Sequence, residues 1–350
     1  MEWRLLIRGS SLTDRLLSVL LTRGANLTAE APLVLKDLQR SMVASAVPGP
    51  YPRCFPYLAG SGTCDELNAS QATSDRASEP WRTYSEALLS GAIDDVTTTE
   101  LLAYHQSVPR TGGSRLKLGI LSGNGGDAEG GGSLMTFTSH GWGWGLLQAD
   151  LIEPFLLQFF SLSAHAYTRG TFTAPESAML DRTKINVPFA TPAGVSTPLM
   201  LKWLLLCEHP VSHSLWIAKA TPRNWLAEGE QLGAEATPSA YGRFSFRFRS
   251  EIDSAKRVHV NVTVPSSWTK ADARKPGGGL VVRLRTPHQN TTIAAAEMGG
   301  GVKLAFNVSE ETVRIPQEVL CCKACACEAG ACCVSNELMA QLQSVVVSFH

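Results

Sequence analysis

No sign of charge predominates in this chain. Its 31 lysines and arginines are matched by 31 aspartates and glutamates over 350 residues, for a formal net charge of zero. Without a basic excess there is little to hold a phosphate backbone or an anionic bilayer, so neither nucleic acid nor a membrane surface is an expected partner. Long apolar runs are missing as well. The nearest approach, 151–166, is interrupted by Glu153, Pro154 and His165 and falls short of the roughly 18 uncharged residues that a span requires; no membrane span is expected. The N-terminal segment carries Arg4, Arg8, Asp14 and Arg15 among its apolar positions, which is not the pattern of a cleaved signal peptide, and the compartment stays open. Familiar catalytic signatures are absent too. The glycine-rich stretch 109–133 matches neither a Walker loop nor a dinucleotide-binding fingerprint, and it reads as a flexible connection with one short strand at 116–121. His140 and His165 form no zinc-binding pair. No G-x-S-x-G occurs, which leaves a Ser/His/Asp hydrolase around Ser139 and His140 as the weaker catalytic alternative. No cofactor is implied.

What is present is a globular composition, 44% hydrophobic and 18% charged, in a chain long enough for one large core or two ordinary ones. The first two hundred residues carry helical periodicity: 12–21, 33–47, a capped start at Ser78-Glu79-Pro80-Trp81 running on to Leu89, 99–106, an apolar run from Leu146 to about Tyr167, and 198–208. Residues 48–80 read as a long loop, across which Cys54 and Cys64 can bridge in an oxidising compartment. After about residue 210 the period falls to two. Phe244, Phe246 and Phe248 alternate with Arg243, Ser245, Arg247 and Arg249, and Val258, Val260, Val262 and Val264 alternate with His259, Asn261 and Thr263. Further strands are expected at 215–220, 280–285, 302–308 and 312–315, the spacing of an antiparallel β-sandwich. The expected organisation is therefore a multidomain α+β protein: a helical domain over 1–209, a sandwich over 210–320, and a cysteine-rich tail with a short helix over 321–350.

The chemically dense stretch is 136–181. The Ser139–Gly145 segment reads as a glycine/tryptophan loop, and 167–177 as a second polar, aromatic loop. Aromatic faces on loops stack on the C–H faces of sugar rings, so Trp81, Trp142, Trp144 and Tyr167 are candidate sugar platforms, with His140 and Arg169 as candidate hydroxyl or carboxylate ligands. The same rings would equally plug the ends of a helical core. Glu176, after Pro175, is a candidate proton donor; it is equally a partner for Arg169 or a helix cap. A glycosidase needs a second carboxylate, for which Glu79, then Asp150 and Glu153, are the candidates. Asp150 and Glu153 share a face near a helix start, a position that the helix dipole favours by itself. Six of nine cysteines lie between Cys321 and Cys333. Cys322, Cys325, Cys327 and Cys332 have thiolate spacings that can hold zinc or copper, form disulfides, or belong to a low-complexity tail. Five Asn-x-Ser/Thr sequons, at Asn26, Asn68, Asn261, Asn290 and Asn307, lean towards a secretory route.

Five stretches, 78–89, Ser139–Gly145, 166–177, 195–208 and 215–226, carry a resemblance to large proteins of the six-hairpin glycosidase-like superfamily. The likeness covers roughly residues 75–320, and Tyr167-Thr-Arg-Gly-Thr through Pro175-Glu176 is its most specific part. It implies an (α/α)₆ toroid followed by a β-sandwich, with carbohydrate as the substrate or ligand. It also implies that the chain corresponds to the C-terminal part of a longer protein, since a closed toroid takes about twelve helices. The tail from Cys321 to Cys333 falls outside it. The resemblance assigns no catalytic residue, so Glu176 and Glu79 rest on their chemistry.

Overall fold

The computed structural model describes residues 85–89, 93–107, 133–136, 139–165, 173–179, 185–209, 214–265, 279–288, 290–299, 301–315 and 343–350. The readings at 12–21, 33–47, 54–64 and 116–121, the four tail cysteines, and Glu79, Trp81, Tyr167 and Arg169 lie outside these residues. The chain divides into two compact units, Met1–Met200 and Leu201–His350.

In the first unit a helical segment at 85–89 precedes α1 (Asp95–Ser107), β1 (Ser133–Met135), α2 (Ser139–Gln148), α3 (Ile152–His165), β2 (Ser177–Met179), β3 (Ile185–Asn186) and most of α4 (Thr191–Leu205). These elements make a mixed unit of helices and one small sheet; they do not by themselves define a toroid. Asp94 starts α1, its carboxylate accepting the Thr97 N–H at 2.7 Å, as an N-cap does. The Ser139–Gly145 segment, expected as a loop, is the first two turns of α2. Its glycines explain the difference. Each costs a helix about 1 kcal/mol relative to alanine, but here each admits a neighbour. A Cβ at Gly141 would lie 2.1 Å from the Ser85 carbonyl oxygen, one at Gly145 2.9 Å from the Leu88 methyls, and one at Gly143 2.9 Å from the Met200 methyl. Gly141 and Gly145 share one face, four residues apart, and Gly143 lies on the opposite side. The helix is apolar all round and is packed on both sides. It ends at Asp150. There Leu151 N–H bonds Leu146 C=O at 2.8 Å and Asp150 N–H bonds Leu147 C=O at 3.3 Å, with Asp150 at φ 57°. This is a Schellman C-terminus with aspartate in the left-handed position. Helix α4 starts seven residues before the expected position and passes through Pro198.

The second unit is a sandwich of a six-stranded sheet, ordered β11-β10-β14-β8-β7-β6, and a five-stranded sheet, ordered β12-β13-β9-β5-β4. Its strands are β4 (Leu206–Glu208), β5 (Ser214–Ile217), β6 (Gln231–Ser239), β7 (Gly242–Glu251), β8 (Arg257–Thr263), β9 (Gly279–Arg283), β10 (Ile293–Met298), β11 (Val302–Lys303), β12 (Ala305–Asn307), β13 (Thr312–Ile315) and β14 (Gln343–Phe349). All described pairs are antiparallel except β5 with β9, which run parallel. Phe244, Phe246 and Phe248 turn inward as the alternation predicts, and the Phe246 and Phe248 rings meet edge to face at 5.9 Å. They share one core with Val258, Val260 and Val262 of β8 and Leu280, Val282, Val313 and Ile315 of the opposite sheet. Each such side chain contributes about 1.5–3 kcal/mol of transfer free energy.

Two expectations need correction here. The stretch 302–308, read as one strand, is two, β11 and β12. Helix was expected to run through Phe349, but Gln343–Phe349 is strand β14, paired with β8 on one side and β10 on the other. Val345, Val347 and Phe349 are buried and alternate with Ser344, Val346 and Ser348, so burial on a period of two decides the outcome. Residues 343–349, which begin ten positions after Cys333, therefore belong to the sandwich.

The turn between β7 and β8 is built on a carboxylate. Glu228 accepts the Ser254 hydroxyl at 2.6 Å and the Asp253 N–H at 2.7 Å. These bonds, the hydroxyl first, hold its carboxyl below the ordinary glutamate range. A group with a lowered folded pKa stabilises fully above its unfolded value, about 4.3, and loses that contribution as pH falls through the folded value. Thermal melts of Glu228→Gln should show the largest deficit against wild type near neutral pH and a shrinking one below about pH 4. For the glycine contacts, Gly141→Ala should cost about 3 kcal/mol in chemical denaturation, because the obstructing atom is backbone. Gly143→Ala and Gly145→Ala should cost less, because flexible side-chain tips can give way.

Candidate functional site

Thr136 holds the backbone around Glu176. Strands β1, β2 and β3 form one antiparallel sheet, with Leu134 opposite Ala178 and Ser177 opposite Asn186. Just beyond the paired residues the peptide of Glu176 is gripped from both sides. Its N–H donates to the Val187 carbonyl at 3.1 Å, and its carbonyl accepts the Thr136 N–H at 3.0 Å and the Thr136 hydroxyl at 2.8 Å. The same hydroxyl also contacts the Pro175 carbonyl. Ala190 N–H bonds Ala174 C=O at 3.1 Å. Segment 187–190 is thus stitched alongside 174–176, and Glu176 stands half-buried on a fixed backbone.

That stitching brings in a residue the sequence reading missed. Phe189 lies between the two bonds and is 76% exposed, flanked by exposed Ile185 and Val187. Val187 has φ 44°, rare for a β-branched residue and a local cost of order 1–3 kcal/mol. The available signal was an aromatic residue between Pro188 and the start of α4, in a run too short for any periodicity. Helix α4 begins directly after this segment, and its Ser196 Oγ lies 3.5 Å from His140 Nδ1 while bonding the Pro192 carbonyl at 3.0 Å. Gln158 of α3, fully buried, donates to the Ser139 carbonyl at 2.6 Å. Its Oε1 has no hydrogen-bond partner among the described residues. The chain segment 136–140 therefore joins the Glu176 backbone clamp to the His140–Ser196 contact.

Other candidates sit elsewhere. Trp142 and Trp144 are not on loops; they are helical residues of α2, 3% and 7% exposed, because the glycines on either side of each let the helix close into the core. Asp150 is exposed, but it occupies the C-terminal turn of α2 and does not share a helix face with Glu153, which lies in the first turn of α3. Among the described residues no group of three or more His, Cys, Asp or Glu side chains could hold a metal ion. No described helix is long and apolar enough to cross a membrane.

No protein-family model matches the sequence, and no curated protein matches it. Among solved structures, a GH127 β-L-arabinofuranosidase from Geobacillus stearothermophilus T6 aligns with 79% of this chain and 42% of its own, at 10% identity and a TM-score of 0.32. A second GH127 β-arabinofuranosidase aligns over the same shares, at 11% identity and a TM-score of 0.26. The chain thus spans 42% of the length of these structures. At such scores the likeness carries no argument about fold or chemistry.

The left-handed position of Asp150 separates a structural role from a catalytic one. Asp150→Gly should leave the melting temperature unchanged or raise it, whereas Asp150→Val should destabilise by about 1–2 kcal/mol in urea titration.

Proposed function

We propose that the chain acts on carbohydrate as a glycoside hydrolase-like protein, with Glu176 as the proton donor. The observation that supports this best is the arrangement at 174–190: a half-buried carboxylate on a backbone clamped from both sides, with the exposed ring of Phe189 in the segment bonded to it. A general acid must be held still relative to the glycosidic oxygen while remaining reachable, and an exposed aromatic ring on the segment bonded to its backbone offers a platform for a sugar ring. Trp142 and Trp144, being buried, fit that platform role less well than Phe189. His140, held near Ser196, is placed to bind a substrate hydroxyl, with Arg169 and Tyr167 contributing from the adjoining stretch of sequence, and Trp81 from the segment preceding 85–89.

Catalysis by this route needs a second carboxylate about 5–9.5 Å from the first, the shorter separation for retention and the longer for inversion. Glu79 is preferred over Asp150 as that base, since Asp150 already serves to end α2. A second reading, a carbohydrate-binding module without turnover, is favoured by that same helix-ending role of Asp150, which leaves Glu79 and Glu153 as the candidate partners for Glu176.

The test is a glycan-array screen of the full chain beside Glu176→Gln and Phe189→Ala, with released sugar assayed on every hit. Glu176→Gln should retain binding and lose at least about a hundredfold in turnover, the scale of general-acid catalysis. Phe189→Ala should weaken binding about tenfold, the effect of losing roughly 1.4 kcal/mol of ring contact. Binding without release by wild type would leave the module reading, and no binding by the folded chain would overturn both.

A further inference from the structure

The sequons divide sharply in their settings. Asn26 and Asn68 lie outside the described residues. Asn261 is half-buried in β8, opposite Arg247 of β7 and Ser344 of β14, in the middle of the six-stranded sheet. Asn290 is exposed in a turn, but no hydroxyl of its sequon contacts its carboxamide among the described residues. Asn307 differs. It ends β12, the edge strand of the five-stranded sheet, and is exposed together with Val308 and Ser309. Its Oδ1 accepts the Ser309 hydroxyl at 2.8 Å, the Ser309 N–H at 3.0 Å and the Glu310 N–H at 3.3 Å. This is an Asx turn within the sequon itself. Three donors occupy the carboxamide oxygen, and Nδ2 makes no hydrogen bond among the described residues.

We infer that Asn307 is a glycan acceptor, modified by a transferase that uses a lipid-diphosphate-linked oligosaccharide. In that step the Asn307 Nδ2–C1 bond forms and the C1–O bond to the lipid diphosphate breaks. The lipid diphosphate leaves with the electron pair, and one Nδ2 proton passes to a base of the transferase. The hydroxyl that the sequon requires already rests against the carboxamide, so the acceptor conformation costs no rearrangement of the turn. The position also has a physical use. Phe306 and Val308, 40% and 45% exposed, flank Asn307 on a strand that is paired on one side only among the described residues, and a bulky polar chain there blocks edge-to-edge pairing.

The test is peptide mapping of the full chain isolated from its own cells, deglycosylated with an amidase in heavy-oxygen water. The peptide containing Asn307 should carry the heavy-aspartate signature. Asn307→Asp, which keeps the acceptor oxygen and so the turn, should run one glycan lighter with an unchanged melting temperature. An unmodified Asn307 peptide overturns the inference, whether or not another sequon is occupied.

Discussion

The close approach of α2 to the helical segment 85–89 is the constraint on which the rest of the first unit depends. At Gly141 the backbones come so near that no side chain fits between them. Because α2 lies at that distance, Ser139 sits where Gln158 can reach its carbonyl, His140 faces Ser196 on α4, and Trp142 and Trp144 turn into the core. Three residues before Ser139, Thr136 holds the Glu176 peptide. The backbone of the candidate carboxylate is thus held by Thr136, forty residues earlier in the chain, ahead of any interaction of its own side chain.

In the second unit the arrangement is of another kind. Here apolar alternation sets the faces, and local polar devices close the turns. Glu228 braces 253–254, and Arg223 reaches from a short 3-10 turn to Glu311 through two bonds at 2.6 and 2.9 Å and also bonds the Thr286 carbonyl. A planar guanidinium matched to a carboxylate fixes orientation as well as distance. Lys219, buried, stands 3.9 Å over the Trp216 ring, where the quadrupole of the indole offsets part of its desolvation.

How legible each element was follows from contrast along the chain. β7 was read correctly because phenylalanine alternates with polar residues without a break from Arg243 to Arg249. β6 was not, since it carries Gly233 and Pro238 and is an edge strand with a register shift between Ala234 and Thr237, all of which erase the alternation. β10 is half alanine, which prefers neither face. β14 was hidden by the helix-forming residues Glu337 to Leu342 before it. Helix α2 was hidden because glycine is a loop former locally, and only the neighbour it admits makes it useful in a helix. Of the proposed site, Glu176 was legible as a candidate, since proline and polar neighbours mark a loop. Phe189 was not, because the pairing of its segment with 174–176 continues from strands of two and three residues.

The position of β14 has a consequence for the order of events in folding. It lies between β8 and β10, yet it follows β13 only after residues 316–342. Strands β6, β7 and β8 are contiguous and can form a meander by local closure, but β8 then waits with one edge unpaired until 343–349 has been synthesised. Through that interval Val258, Val260 and Val262 have no completed sheet around them. Non-local pairing of this kind is slow, and an open apolar strand is the species that other chains capture. The burden falls on the cell's chaperones during synthesis, and it grows with any lengthening of the connection that delays the last strand.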